Sequence, residues 1–196
     1  MNIVFMGTPE FSIPTLTKLY RSHHNVQLVV TQPDRSKGRG RESTPSPVKQ
    51  FALENNIPIL QPKKCTDLEV VKTLGMLNAD FFIVVAFGQI LDKALLALPL
   101  HFCINLHSSL LPKYRGAAPI NWSIINGETE AGITTMKMDV GLDTGDILLA
   151  HKVPINDDDD AQSLHDTLAQ KGSDLVLETL NQFDFGSLEG TSQNIE

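Results

Sequence analysis

The sequence predicts an α/β fold, a mainly parallel sheet with helices on both faces and some antiparallel pairing near the C-terminal part. Three observations predict it. Short apolar runs rich in Val, Ile and Phe recur through the first half of the chain, too continuous to be strands with one wet face. Segments with the apolar period of a helix lie between them. After residue 130 this rhythm stops, because two strand-like runs follow one another with too little chain between them for a helical crossover.

Ile3–Met6, Gln27–Val30, Ile57–Leu60, Phe81–Ala86 and Phe102–Leu106 read as the strands. Helices are expected at about Ile13–Arg21, at about Val48–Asn55 with Pro47 at the start, and at about Asp67–Leu77 with Thr66 as N-cap. Strand and helix in alternation build a sheet covered on both sides. Gly132–Met138 and Ile147–Val153, joined through DVGLDTGD, are expected to pair antiparallel. A last helix runs from about Ala161 to about Leu180, and the small, polar stretch from Gly186 reads as a linker or frayed end. There is no internal repeat.

The 196 residues are 41% hydrophobic and 20% charged, the balance of a globular protein with a real core. A formal charge of −7 argues against a surface that binds nucleic acid everywhere, and leaves a local basic patch open. Cys65 and Cys103 stand alone, without metal-ligand spacing, so neither a disulfide framework nor a metal site is expected. MNIVFMGTPEF has no basic region ahead of an apolar stretch, and the longest apolar run, Phe81–Phe87, is far below the roughly 18 residues of a membrane span. A soluble, cytoplasmic protein is expected. GTPEFS lacks the later glycines of a dinucleotide loop, which speaks against a nicotinamide cofactor. The acidic run Asp157–Asp160 lacks the interleaving of a calcium loop and instead complements the N-terminal dipole of the last helix.

Chemistry concentrates in INLHSSLLPKYRGAAPI, residues 104–120. Alternate residues of a strand share a face, so Asn105 and His107 lie together while Ile104 and Leu106 face the other way. The carboxyl end of a parallel strand is where open α/β sheets bind ligands. A lone buried histidine usually does no more than bond loop backbone, but this one is paired and well placed. MDVGLDTGD offers three carboxylates, Asp139, Asp143 and Asp146, of which one is expected to reach the imidazole. A carboxylate beside an imidazole favours its charged form, and a cationic His next to an Asn amide gives two donors for a developing oxyanion. That equipment suits acyl transfer without a covalent intermediate. Ser108 and Ser109 lack the G-x-S-x-G elbow of a nucleophile.

Asn105, His107, the SLLP of Ser109–Pro112 and Asp143 within DVGLDTGD resemble the signature of the folate-dependent formyltransferases, whose Rossmann-like fold is shared with glycinamide ribonucleotide formyltransferase. The longer pattern FMGTPEFS, TQPDRSKGRGRESTPSPVK, HSSLLPKYRGAAPINW and MDVGLDTGDIL is similar, in this order, to the methionyl-tRNA formyltransferases over nearly all of residues 1–185. The resemblance implies a catalytic domain over 1–185, with 186–196 as the start of a linker or a tail. It also implies that the family's C-terminal barrel domain, which binds tRNA, lies outside this chain.

By the same resemblance the formyl group of 10-formyltetrahydrofolate passes to the α-amino group of methionyl initiator tRNA. Asn105 and protonated His107 would stabilise the tetrahedral oxyanion, and Asp143 would hold His107 charged. Folate contacts are implied for Phe87, Gly88, Gln89, Ile90 and Leu91, for Ser109, Leu110, Leu111 and Pro112, and for Asp139, Val140, Gly141 and Leu142. Read as residues, FGQIL is also a plain strand-to-helix turn with Ile90 and Leu91 in the core. RSKGRGR sets Arg35, Lys37, Arg39 and Arg41 among glycines, a composition suited to a phosphate backbone, and the resemblance places it against the tRNA acceptor end. Formyltransferases of amino-sugar nucleotides and formyltetrahydrofolate hydrolases share the Asn–His–Asp site. The basic stretch is what favours a tRNA acceptor over these. A catalytically idle RNA-binding module is the reading from another class. A monomer without metal is expected.

Overall fold

Burial begins at the third residue. Strand β1 (Asn2–Gly7) carries Ile3, Val4, Phe5 and Met6, all at 0% exposure, and since neighbours on a strand point to opposite faces, both faces of β1 are covered. The structure, a computed structural model, describes residues 1–36 and 43–194. The chain forms two compact units, Met1–Cys103 and Ile104–Glu196.

In the first unit a 3₁₀ turn at Glu10–Ser12 leads into α1 (Ile13–Arg21), which has proline in its first turn. Next come β2 (Asn25–Val30) and two short strands, β3 (Arg35–Ser36) and β4 (Ser43–Thr44), which pair antiparallel. Helix α2 (Pro47–Glu54) is capped by Ser46, whose Oγ accepts from the Lys49 N–H at 3.1 Å. The unit continues through β5 (Ile59–Leu60), α3 (Leu68–Gly75), β6 (Phe81–Val85) and α4 (Lys93–Leu96). The main strands lie in the order β5-β2-β1-β6, every pair parallel, and α1 and α2 pack against β2. At the carboxyl edge, side chains beyond β1 bond the turn after β6. Ser12 Oγ donates to the Val85 carbonyl at 2.7 Å and Thr8 Oγ1 to that of Phe87 at 3.0 Å.

Strand β7 (Phe102–His107) leads into the second unit, followed by α5 (Pro119–Ile125), β8 (Glu130–Lys137), β9 (Ile147–Pro154) and α6 (Ala161–Asp184). Here the order is β7-β8-β9 and the pairing antiparallel. Helix α6 packs on β8 and β9, burying Leu164, Leu168, Val176 and Leu180. Gly172 allows the close approach, since a Cβ there would meet the Leu106 side chain at 2.7 Å. The acidic run before α6 is a cap: Asp160 accepts from the N–H groups of Gln162 and Ser163, and Ser163 bonds back in a capping box. No helix among the described residues is long and apolar enough to cross a membrane.

Several boundaries differ from those expected. Asp67, not Thr66, is the N-cap of α3, because the backbone is still extended at Asp67 (φ −64°, ψ 137°). Strand β5 is cut to Ile59–Leu60 because Pro58 has no N–H for the ladder. Helix α6 runs on past Leu180 to Asp184, with Phe183 continuing the apolar spacing. Within the stretch from Gly186, expected as a linker or frayed end, Thr191 pairs antiparallel with Ile147 through two backbone bonds of 2.8 Å. Composition carries no signal for so distant a partner.

Candidate active site

Strand β7 ends on the residues of interest. Ile104 and Leu106 are buried on one side of it, and across to β8 Asn105 faces Met136 while His107 faces Thr134. The chain then turns through Ser108–Ala118, a stretch held to β8 by one hydroxyl. Thr134 Oγ1 donates to the Ser109 carbonyl at 2.7 Å and accepts from the Leu111 N–H at 3.3 Å. Ser109, itself buried, donates its Oγ to the Lys113 carbonyl at 2.6 Å and is thereby committed to the turn.

A second turn, residues 138–146, comes in from the end of β8. Asp139 organises it by accepting from the Gly141 N–H at 3.0 Å and from Thr144 Oγ1 at 2.8 Å. The turn is tight at Gly145, where a Cβ would sit 1.8 Å from the Lys137 carbonyl oxygen. Asp143 takes the left-handed conformation at φ 53°, which short polar side chains tolerate. Of the three candidate carboxylates, Asp143 is the one that reaches the strand. Its Oδ1 accepts from Asn105 Nδ2 at 3.3 Å, its Oδ2 accepts from the Gly116 N–H at 2.8 Å, and that same Oδ2 lies 3.6 Å from His107 Nδ1.

The other imidazole nitrogen, Nε2, bonds the Tyr114 carbonyl at 2.9 Å. A carbonyl only accepts, so Nε2 carries its proton and Nδ1 is left to the carboxylate. Both nitrogens face acceptors, an arrangement that only the imidazolium satisfies completely. His107 is 7% exposed, so its contact with the Asp143 carboxylate is screened little by water. Tyr114 is pinned in turn, its hydroxyl donating to Glu128, which also pairs with Lys113 at 2.6 Å. These partners hold the Glu128 carboxyl below its ordinary range, and Glu128 raises the Lys113 ammonium above its own.

Sequence reasoning missed Tyr114 and Gly116, because each contributes a backbone group that leaves no mark in residue type. Asp146 and Asp139 belong to the turn and not to the triad. In the first unit, the segment after β6 bends sharply, with Ala86 at φ 47° and Gly88 at φ 79°. The Phe87 and Gly88 carbonyls both accept from the Gln32 amide, at 3.1 and 2.9 Å, and Gln89 bridges the Cys65 N–H and the Pro62 carbonyl. Leu91 is core as expected, but Ile90 is 86% exposed and its placement in the core is corrected. The backbone here is fixed by the Gln32 amide on the Phe87 and Gly88 carbonyls and by Cys65 Sγ, which donates to the Ile90 carbonyl at 3.2 Å, and the Ile90 side chain is left on the outside. Arg35 lies in β3, whereas Lys37, Arg39 and Arg41 lie outside the described residues. Among the described residues no group of three or more His, Cys, Asp or Glu side chains is placed to hold a metal ion.

An amide and an imidazole side by side at a strand end, with one carboxylate behind both, suit an acyl-transfer site of the oxyanion-stabilising kind. The family model described as formyl transferase matches residues 1–180, and the chain belongs to that family. Among its relatives, the methionyl-tRNA formyltransferase of Geobacter metallireducens is 56% identical over 194 residues, covering 99% of this chain. That of Clostridium acetobutylicum is 54% identical and covers 98%. The chain spans 62% of the length of each. Two solved structures share the fold. Phosphoribosylglycinamide formyltransferase from Bacillus halodurans superposes with a TM-score of 0.76 at 21% identity, covering 93% of this chain and 95% of that one. A sugar 3N-formyl transferase, solved in the presence of dTDP and 5-N-formyl-THF, gives 0.72 at 23% identity, covering 99% and 66%.

Proposed function

We propose that this chain, through a catalytic domain over 1–185, transfers the formyl group of 10-formyltetrahydrofolate to the α-amino group of methionyl initiator tRNA. The observation that carries the reading is Asp143 braced against both Asn105 and His107. The names of relatives above 50% identity support the choice of acceptor. The setting is cytoplasmic, where initiator tRNA is charged, and the protein works as a monomer.

The folate supplies an activated formyl group. Within the second unit, the expected folate contacts Val140 and Leu142 leave their apolar side chains 77% and 72% exposed, as such a ligand needs. The neutral amine forms a bond to the formyl carbon, and the carbonyl oxygen becomes negative. Asn105 Nδ2 donates to that oxygen, and so does His107 Nε2–H once it exchanges the Tyr114 carbonyl for the oxyanion, while Nδ1 stays on Asp143. Asp143 keeps the imidazolium paired and accepts, directly or through water, the proton released by the attacking nitrogen. As the carbon–nitrogen bond to the folate breaks, that proton goes to the leaving nitrogen, and charge balances across the step. Arg35, Lys37, Arg39 and Arg41 would neutralise phosphates of the acceptor stem. The same triad would serve an amino-sugar nucleotide acceptor or simple hydrolysis, and the basic stretch is what argues for tRNA.

The test is transfer of labelled formyl from 10-formyltetrahydrofolate to methionyl initiator tRNA, with His107→Ala alongside. Transfer falling by about 10²–10³ in the variant is expected. Hydrolysis without transfer would replace the acceptor, and absence of both in folded protein would overturn the reading.

A further inference from the structure

We infer that Gln193 is a positioning residue for the catalytic carboxylate, a buried amide that clamps together the two loops on which Asp143 and His107 depend. The inference rests on the site reading above and extends the active-site frame beyond the end of α6. Gln193 is 9% exposed. Its Nε2 donates to the carbonyl of Asp143 at 3.0 Å and to that of Gly145 at 2.7 Å. Its Oε1 accepts from Arg115 Nε at 2.9 Å and from Arg115 Nη2 at 2.7 Å. An amide has two N–H donors and two acceptor lone pairs, so every bond it can make is made, and all are made to these two loops.

What the clamp holds gives it significance. Arg115 sits between Tyr114, whose carbonyl takes the His107 Nε2 proton, and Gly116, whose N–H bonds the Asp143 carboxylate. The opposite end of the amide grips the peptide of Asp143 itself, holding its carbonyl at the left-handed turn (φ 53°) that aims the carboxylate at the strand. Neighbours fix the register of Gln193. Thr191 pairs with Ile147, Ser192 Oγ donates to Asp146 at 3.0 Å, and Gly190 lies so close to Asp146 that a Cβ would meet its side chain at 3.2 Å. The Asp143–His107 separation of 3.6 Å is therefore set in part by a residue 50 positions along the chain.

The experiment uses the full chain with Gln193→Ala and Gln193→Glu. The glutamate keeps both acceptors for Arg115 but turns an oxygen toward the Asp143 and Gly145 carbonyls, so it separates the two ends of the clamp. Turnover with 10-formyltetrahydrofolate, kcat and KM taken apart, is measured beside amide hydrogen exchange by mass spectrometry. Both variants are expected to lose about 10²-fold in kcat with KM within about twofold, and to exchange faster over residues 139–147 while α6 keeps its protection. Parental kcat and exchange in Gln193→Glu would overturn the proposal, since the donors to the loop would then be idle. Protection lost across the whole second unit in Gln193→Ala would also overturn it, leaving a merely structural residue. If the parent shows no turnover that depends on His107, it is the functional reading that fails, and exchange over 139–147 alone decides whether Gln193 holds the loop.

Discussion

At the scale of single residues, Asp143 is the point where the site's demands meet. Its carboxylate accepts from Asn105 and from the Gly116 N–H and faces His107, while its backbone stays left-handed. These roles separate on substitution. Asparagine keeps the shape, tolerates the same backbone and still accepts one bond, so Asp143→Asn should unfold at nearly the parental urea midpoint. It cannot form the ion pair, and its kcat should drop by about 10²-fold or more. A variant that lost stability and rate together would show Asp143 to be scaffold first. Asn105 and His107 were legible in the sequence because strand alternation alone puts them together. The choice among Asp139, Asp143 and Asp146 was not legible from residue types, because it depends on how Asp139 folds the turn through Gly141 and Thr144. Gln193 left no local trace at all, its partners being 48 to 78 positions away.

At the scale of elements, the turn between β8 and β9 does the positioning, and its tightest point is Gly145. A Cβ there would lie 1.8 Å from the Lys137 carbonyl, an atom held in place because its own N–H bonds the Asp146 carbonyl at 2.9 Å. Gly145→Ala should therefore cost about 1–3 kcal/mol by overpacking and reduce turnover by displacing Asp143. Gly127→Ala is the control. That glycine sits at φ 63° with nothing within 4 Å of the added carbon, so the variant should show only the cost of a left-handed alanine, about 1–2 kcal/mol, and keep its turnover. Equal losses of turnover in both would argue that general destabilisation, not loop geometry, governs the rate. Long periodic segments such as α6 and fully apolar runs such as β6 were readable in advance. Helices α4 and α5 were not, since 4 and 7 residues carry at most two turns of a pattern.

For the whole molecule, burial and pairing bound the pH range of stability from both sides. Lys113 and Tyr114 hold Glu128 below its ordinary 4.5, while Lys49 holds Asp34 and Ser163 holds Asp159 below their ordinary 3.8. Folded-state values that are lowered give stability that is present above the unfolded values and is lost as pH falls through the folded ones. The cysteines act in the opposite sense. Burial pushes the Cys103 thiol from 9.0 up to about 12 and raises Cys65 as well, so between these values the unfolded chain releases a proton that the native state retains. That contribution is complete below 9.0 and is lost as pH rises toward 12. Exposed pairs contribute little because water screens them, whereas a buried thiol is not screened, so the alkaline limb should be the steeper. Urea midpoints against pH for the parent, Glu128→Gln and Cys103→Ala check the argument. Glu128→Gln should flatten part of the acid limb and Cys103→Ala the alkaline one. An alkaline limb that survived unchanged in Cys103→Ala would show that some other group sets it.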